Sequence, residues 1–385
     1  MSVMKSLGIP LVFLFLAGSS SRPGESNPQD SWIRQKPVYV SGLDGYDTYR
    51  IPAVVVSNQG TLLAFGEGRK AGRGDSGNID LVLKRSRDQG KTWLPLQILV
   101  DDGGNTCGNP APVVDRESGT IWLPFTKNGG DIEESAIHRG QGSRTAWITF
   151  SRDDGATWAE PVEITQYVKK TDWRWYATGP CHGIQTRGGR LVIPGDHSTG
   201  PDFFQWYSHI FYSDDRGAGW RIGGTVPGGF TNESTVLERD DGSLYLNMRG
   251  YKSTHRRQVS HSRDGGMTWT PAREDPALIE PVCQASVIRY TSSRDFHRSR
   301  ILFSNPASTE REKLTIRLSY DEGETWPVAR MIHPGPAAYS DLVVLPDGTI
   351  GCLYERGDES PYETITFARL TLEWLTGGKD RLEPR

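Results

Sequence analysis

One octapeptide returns five times in this chain. SRDQGKTW (residues 86–93), SRDDGATW (151–158), SDDRGAGW (213–220), SRDGGMTW (262–269) and SYDEGETW (319–326) share S-x-D-x-G-x-T-W, the third copy carrying Gly219 in place of the threonine. Such a repeat points to a structural unit copied along the chain, each copy burying its apolar face against the next. The chemistry of the motif is that of a turn. The aspartate accepts hydrogen bonds from N–H groups of its own turn, the glycine supplies positive φ, and the tryptophan packs between units. The oxygen-ligand spacing of a calcium-binding EF-hand loop is absent.

A second series, offset from the first, supplies strands. GTLLAF at Gly60, GTIWLPF at Gly119, GRLVIP at Gly189, GSLYLN at Gly242 and GTIGCLY at Gly348 each pair a turn glycine with a short apolar run, and RILFSN at Arg300 repeats the run without the glycine. These six starts lie roughly 50–70 residues apart, room for about four short strands each. IPAVVV, STVLER and DLVVLP read as preceding strands, and IDLVLKR as a following strand that leads into the first octapeptide. The order within each unit is strand A, hairpin, strand B, long loop, strand C, octapeptide turn, strand D. The expected fold is all-β, a six-bladed β-propeller over residues 38–385, with LTLEWL near residue 375 as its closing strand.

Composition agrees with many turns and economical strands: 36% hydrophobic residues, 44 Gly, 24 Pro and 12 Trp. A formal net charge of -3 without a long Lys/Arg run argues against a nucleic-acid partner. Residues 1–21, with Lys5 before the apolar run 7–17 and small residues after it, have the pattern of a cleaved export signal; 22–37 is then a linker. The expected location is secreted or periplasmic, with no membrane span after cleavage. Four scattered cysteines without a CxxC pair, and eight histidines without metal-ligand spacing, suggest neither a metal nor another cofactor.

The strand order also locates the chemistry. In an antiparallel unit, the start of A, the end of B and the B-to-C loop share one rim, opposite the octapeptides. On that rim fall Arg50, Asp75, Glu233, Arg249, Arg311 and Tyr339. Three arginines around one mouth suit a single carboxylate, which guanidinium forks match in bidentate fashion.

The octapeptides resemble the Asp-boxes of sialidases and other Asp-box propellers, which bears on fold more than on function. A closer resemblance, covering the chain after residue 37, is to the exo-sialidases. It rests on YRIPA, an aspartate about 25 residues on, NES-TV with LNMR, FSNPA with R-x-x-L, and YSDL with LYE, in that order. It implies that Arg50, Arg249 and Arg311 bind the sialic acid carboxylate, Asp75 is the acid/base, and Tyr339 with Glu233 is the nucleophilic pair. Glu355 would orient the first arginine, and Arg69 would be a further substrate contact. Trp175 and Tyr176, beside Trp173, are candidates for an aromatic pocket wall. Asp101 and Asp102 read as a polar turn.

Chemistry supports these residue types. A sialoside carries its carboxylate on the anomeric carbon, so a carboxylate nucleophile meets like charge and a neutral phenol does not; retaining sialidases are a recognised tyrosine exception among glycosidases. A phenol with an ordinary pKa near 10 needs a base, and Glu233 is the candidate. The implied reaction is hydrolysis of terminal sialic acids from glycoproteins, glycolipids or oligosaccharides, with retention. Transfer to an acceptor sugar, intramolecular transfer, and a non-catalytic sialoglycan-binding propeller remain open, although the last does not need an acid, a nucleophile and a base together.

Overall fold

The computed structural model describes residues 32–384; the proposed export signal and most of the linker lie outside them. Its strands form four sheets of seven, nine, five and four strands. The two larger sheets each join two antiparallel runs. In the seven-stranded sheet the joint is the long strand Val328–Val344, whose first part pairs with Glu312–Ser319 and whose second part pairs with Ile350–Arg356. In the nine-stranded sheet it is one parallel bridge, Ile79 to Thr106. Six antiparallel runs result, and among the described residues no sheet closes on itself.

The second strand of each run is where its apolar signature falls: Leu62–Arg69, Ile121–Asn128, Leu191–Ser198, Leu244–Gly250, Arg300–Pro306 and Ile350–Arg356. These strands are buried along nearly their whole length, as continuous apolar runs covered on both faces require.

The octapeptides are the turns after the third strands. In the first, Asp88 Oδ1 accepts from the hydroxyl of Ser86 and the N–H of Thr92 (both 2.8 Å), and Oδ2 accepts from the Thr92 hydroxyl (2.6 Å). Gly90, at φ 84°, donates its N–H to Ser86 Oγ at 2.8 Å. The copies at Asp153, Asp264 and Asp321 repeat the pattern; at Asp215 the N–H of Gly219 replaces that of threonine. Trp158 packs on Phe65 and Trp220 on Trp122 of the preceding runs, Trp93 packs on Phe367 of the last run, and Trp326 packs on Phe303 of its own.

Partial burial pushes the Asp88 carboxyl upward, but the Thr92 and Ser86 donors outweigh it and hold it at about 2. A carboxyl whose folded pKa lies below its unfolded value stabilises the fold above the ordinary carboxylate range and loses that contribution as pH falls through about 2. Asp88→Ala is therefore expected to cost about 1–2 kcal/mol in urea denaturation at pH 7, with the gap to wild type narrowing as the pH approaches 2. A gap independent of pH would contradict this account.

Two boundaries differ from expectation. Strand Ile33–Val40 pairs with Thr364–Leu370 and so begins inside the segment read as linker. It escapes detection because Arg34, Gln35, Lys36 and Pro37 are exposed and show no alternation. LTLEWL is not the closing strand: Thr364–Leu370 ends there, and Leu372–Thr376 forms a short helix. Thr371 caps its start by accepting from the Trp374 N–H, and Gly377 ends it at φ 64°. The four cysteines are buried and unbonded. Among the described residues no helix is long and apolar enough to cross a membrane.

Candidate active site

A cavity of about 620 Å³ opens where the first strands begin and the second strands end. Arg50, Arg69, Asp75, Glu233, Arg249, Arg311 and Tyr339 all line it, and no octapeptide residue does. Three of these side chains sit at irregularities in first strands. The register shifts between Arg50 and Ala53, between Thr231 and Ser234, and between Ala337 and Ser340, bracketing Ile51, Glu233 and Tyr339. Such bulges re-aim side chains out of the ladder. Ile51 itself is held at φ 59°, an uncommon conformation for a β-branched residue.

Glu355, fully buried, fastens two of the bulges together. Its Oε1 accepts from Arg50 Nε (3.2 Å) and the Ile51 N–H (2.9 Å), and its Oε2 accepts from the Tyr339 N–H (3.0 Å). Arg50 and Tyr339 are thereby placed by one carboxylate. The Tyr339 hydroxyl donates to Glu233 Oε1 at 2.5 Å and receives Arg249 Nη1 at 3.1 Å, while the same Nη1 reaches Glu233 Oε2 at 2.7 Å. Burial first, and the Glu233 charge second, hold the Tyr339 phenol well above its ordinary range despite Arg249, Arg311 and Arg50. The phenol is therefore neutral, with the Glu233 carboxyl in hydrogen-bond contact.

Nη2 of Arg50 and Nε of Arg249 are buried without a hydrogen-bond partner among the described residues, and Arg311 donates Nη1 to the Tyr362 hydroxyl at 2.6 Å. The Arg50 and Arg311 guanidinium carbons lie 5.1 and 5.6 Å from the Tyr339 ring centre, so both flank the same phenol. Behind Arg249, the buried Arg257 donates to Glu280 Oε2 at 2.7 Å, and Glu280 Oε1 accepts from the Gly250 N–H at 2.8 Å.

Asp75 projects from the loop at residues 70–78 with its side chain 61% exposed. Its Oδ1 accepts from Arg69 Nη1 at 2.8 Å and Arg50 Nη1 at 3.2 Å. Burial alone would raise its pKa; Arg69 and then Arg50 overcome that and hold it below the usual carboxylate range.

Arg69 lines the cavity with its guanidinium engaged by Glu67 and the loop around Asp75. Trp175 lines the cavity, its face 4.4 Å from the Arg144 guanidinium carbon. Tyr176 does not. It is fully buried in the core with Trp173, Phe211 and Trp220, because consecutive residues along extended chain face opposite ways. Asp101 caps its own turn by accepting from the Gly103 N–H at 2.8 Å.

The sequence reading missed the far side of the cavity: Asn109, Glu134, Arg144 and Asp196, with Tyr251 and Tyr362 beside the arginines. Tyr251 stands two residues after Arg249, a spacing that puts it on the same side of an extended chain and could have signalled it. Arg144 donates Nε to Thr126 Oγ1 at 3.0 Å and its other nitrogens to Asn128 and Asn109. Asp196 is 1% exposed with Oδ1 unpartnered; burial, then Glu233 and Glu134, raise its pKa well above the usual range.

The BNR repeat-like domain family matches residues 60–352. The chain is 34% identical to a sialidase of Micromonospora viridifaciens, covering 94% of this chain and 57% of that protein. It is 32% identical to an exo-alpha-sialidase of Aspergillus fumigatus, covering 87% of this chain and 86% of that one. Among solved structures, Hadza microbial sialidase Hz136 aligns with a TM-score of 0.81 at 32% identity, over 89% of this chain and 69% of its own. The chain thus spans little more than half of the Micromonospora relative but most of the Aspergillus one. With the domain match and these identities extending over most of its length, the chain belongs to the sialidase family of glycoside hydrolases.

Proposed function

We propose that this chain is a retaining exo-sialidase that releases terminal sialic acids from sialylated glycans, using Tyr339 as nucleophile. The observation that carries the reading is the contact between the Tyr339 hydroxyl and Glu233 inside a cavity flanked by three arginines. We further infer that the six antiparallel runs are the blades of one propeller, which explains why residues hundreds of positions apart meet at one mouth. The charged and apolar pattern of residues 1–21 supports export of the enzyme.

In this reading the substrate carboxylate is gripped by Arg50, Arg249 and Arg311, whose guanidinium forks match its oxygens. Tyr339 Oη attacks the anomeric carbon as its proton passes to Glu233, and the bond to the leaving oxygen breaks as Asp75 protonates that oxygen. Water, deprotonated by Asp75, then attacks the same carbon and expels Tyr339, which recovers its proton from Glu233; two inversions give net retention. Substrate carboxylate at Arg50 competes with Asp75 for that guanidinium. Binding thus loosens one of the charges that keep Asp75 ionised and raises its proton affinity where an acid is needed.

The test is NMR of a sialyl-lactose digest. Free sialic acid appearing first as the α-anomer is expected. Release of the β-anomer would overturn retention, and sialylated acceptor or an anhydro sugar as first product would overturn hydrolysis in favour of transfer. Binding without turnover would leave a lectin-like module.

A further inference from the structure

Strand Leu62–Arg69 ends in two oppositely charged side chains that both lie buried in the cavity wall, Glu67 at 3% and Arg69 at 2% exposure. They are two residues apart on an extended strand, so they project to the same side. Glu67 Oε2 accepts from Arg69 Nε at 3.1 Å and from Nη2 at 2.6 Å, gripping the guanidinium edge-on. The other oxygen, Oε1, is tied to the Asn109 N–H at 2.9 Å, which fixes the carboxylate in turn. Arg69 Nη1 is left pointing at the loop, and its acceptors all belong there: Arg73 O at 2.6 Å, Gly74 O at 2.8 Å and Asp75 Oδ1 at 2.8 Å.

This loop needs holding. It carries Gly72 and Gly77 at φ 108° and 123°. Besides Arg69 it is tied by Lys70 N–H to Asn78 O, by Thr106 Oγ1 at both the N–H and the C=O of Gly77, by Ser76 Oγ to Glu133 and by Arg50 Nη1 to Asp75. Among the described residues Arg69 alone reaches the backbone of residues 73–74. A planar guanidinium bound along one edge has a fixed direction, whereas one bound at a single nitrogen can swing. An acid displaced by about 1 Å from the leaving oxygen loses much of its catalytic effect.

We propose that Glu67 is a positioning residue for the catalytic acid, acting through Arg69 to fix the backbone of residues 73–74 and the carboxyl of Asp75. It touches no substrate in this scheme. The inference rests on the reading of Asp75 as the acid, so the test separates the two.

Leaving-group dependence makes the separation. A sialoside of an acidic phenol departs with little protonation, whereas sialyl-lactose, whose leaving group is a sugar alkoxide, requires it. The full chain is compared as wild type, Asp75→Ala, Glu67→Gln and Arg69→Lys by the ratio of kcat/KM for the two substrates, a ratio unaffected by the fraction of enzyme that is folded. Asp75→Ala is expected to shift the ratio against sialyl-lactose by roughly 100-fold or more, and Glu67→Gln and Arg69→Lys by roughly 10-fold in the same direction. If Asp75→Ala leaves the ratio unchanged, the acid assignment fails and this inference with it. If Asp75→Ala shifts the ratio but Glu67→Gln slows both substrates equally, or neither, the acid assignment stands and Glu67 does not position it.

Discussion

Tyr339→Phe is expected to lower turnover of a sialoside by roughly 1000-fold or more, the scale on which removal of a nucleophile acts, while affinity for the free sugar acid changes by less than about 3-fold. The substitution removes one oxygen and little else. The phenyl ring stays under the Arg50 and Arg311 guanidiniums, so their cation–π support is kept. Glu355 holds the backbone of residue 339 rather than its side chain. Glu233 loses a hydrogen-bond donor but retains Arg249, so no carboxylate is left unpaired. Steady-state kinetics and inhibition by the free acid measure the two halves. Turnover within tenfold of wild type would remove Tyr339 from the chemistry, and a parallel loss of acid binding would mean that the hydroxyl serves the clamp instead.

The second large effect concerns stability. Arg257 and Glu280 form an ion pair with 0% and 1% side-chain exposure, and removing one partner of such a pair leaves the other charged in a medium that cannot solvate it. Glu280→Ala should cost about 3–5 kcal/mol, seen in calorimetry as a Tm lower by roughly 4–7 °C. Asn247 Oδ1 and Cys283 O still accept from Arg257, but neither carries compensating charge. The double variant Arg257→Met/Glu280→Leu should recover most of the loss, because replacing both charges with apolar volume avoids the stranded ion. A Tm shift below about 2 °C for the single variant would mean that water or a rearranged carboxylate reaches Arg257. Affinity for the sugar acid should fall alongside stability, since Glu280 anchors the peptide that follows Arg249.

The sequence made the strands and turns legible because each signal is local. Ser86, Asp88, Gly90 and Thr92 satisfy one another within a single turn, and repetition multiplies the evidence. The three arginines, Asp75, Glu233 and Tyr339 could be grouped because strand order assigns every rim position to one end. Arg144 and Glu134 are harder, since they come from stretches that differ between units, whereas Asp196 sits near the end of the second strand Leu191–Ser198, a rim position that the same strand order could have flagged. Tyr176 was misplaced by one step of side-chain parity: Trp175 and Tyr176 are equally aromatic, and which one faces the cavity depends on the pairing of Tyr176 with His197 across the sheet. The N-terminal strand was invisible because what makes it a strand is a partner more than three hundred residues away.

That distant partner shapes how the molecule is made. During synthesis the edge offered by Ile33–Val40 must wait, unmatched, until Thr364–Leu370 has left the ribosome, while every other run can pair with neighbours emerging shortly before or after it. Maturation should therefore end with a slow clasping step that joins the two ends of the folded part, and a nascent chain stalled before residue 364 should remain open to proteolysis at its leading strand even with the rest of the sheets assembled.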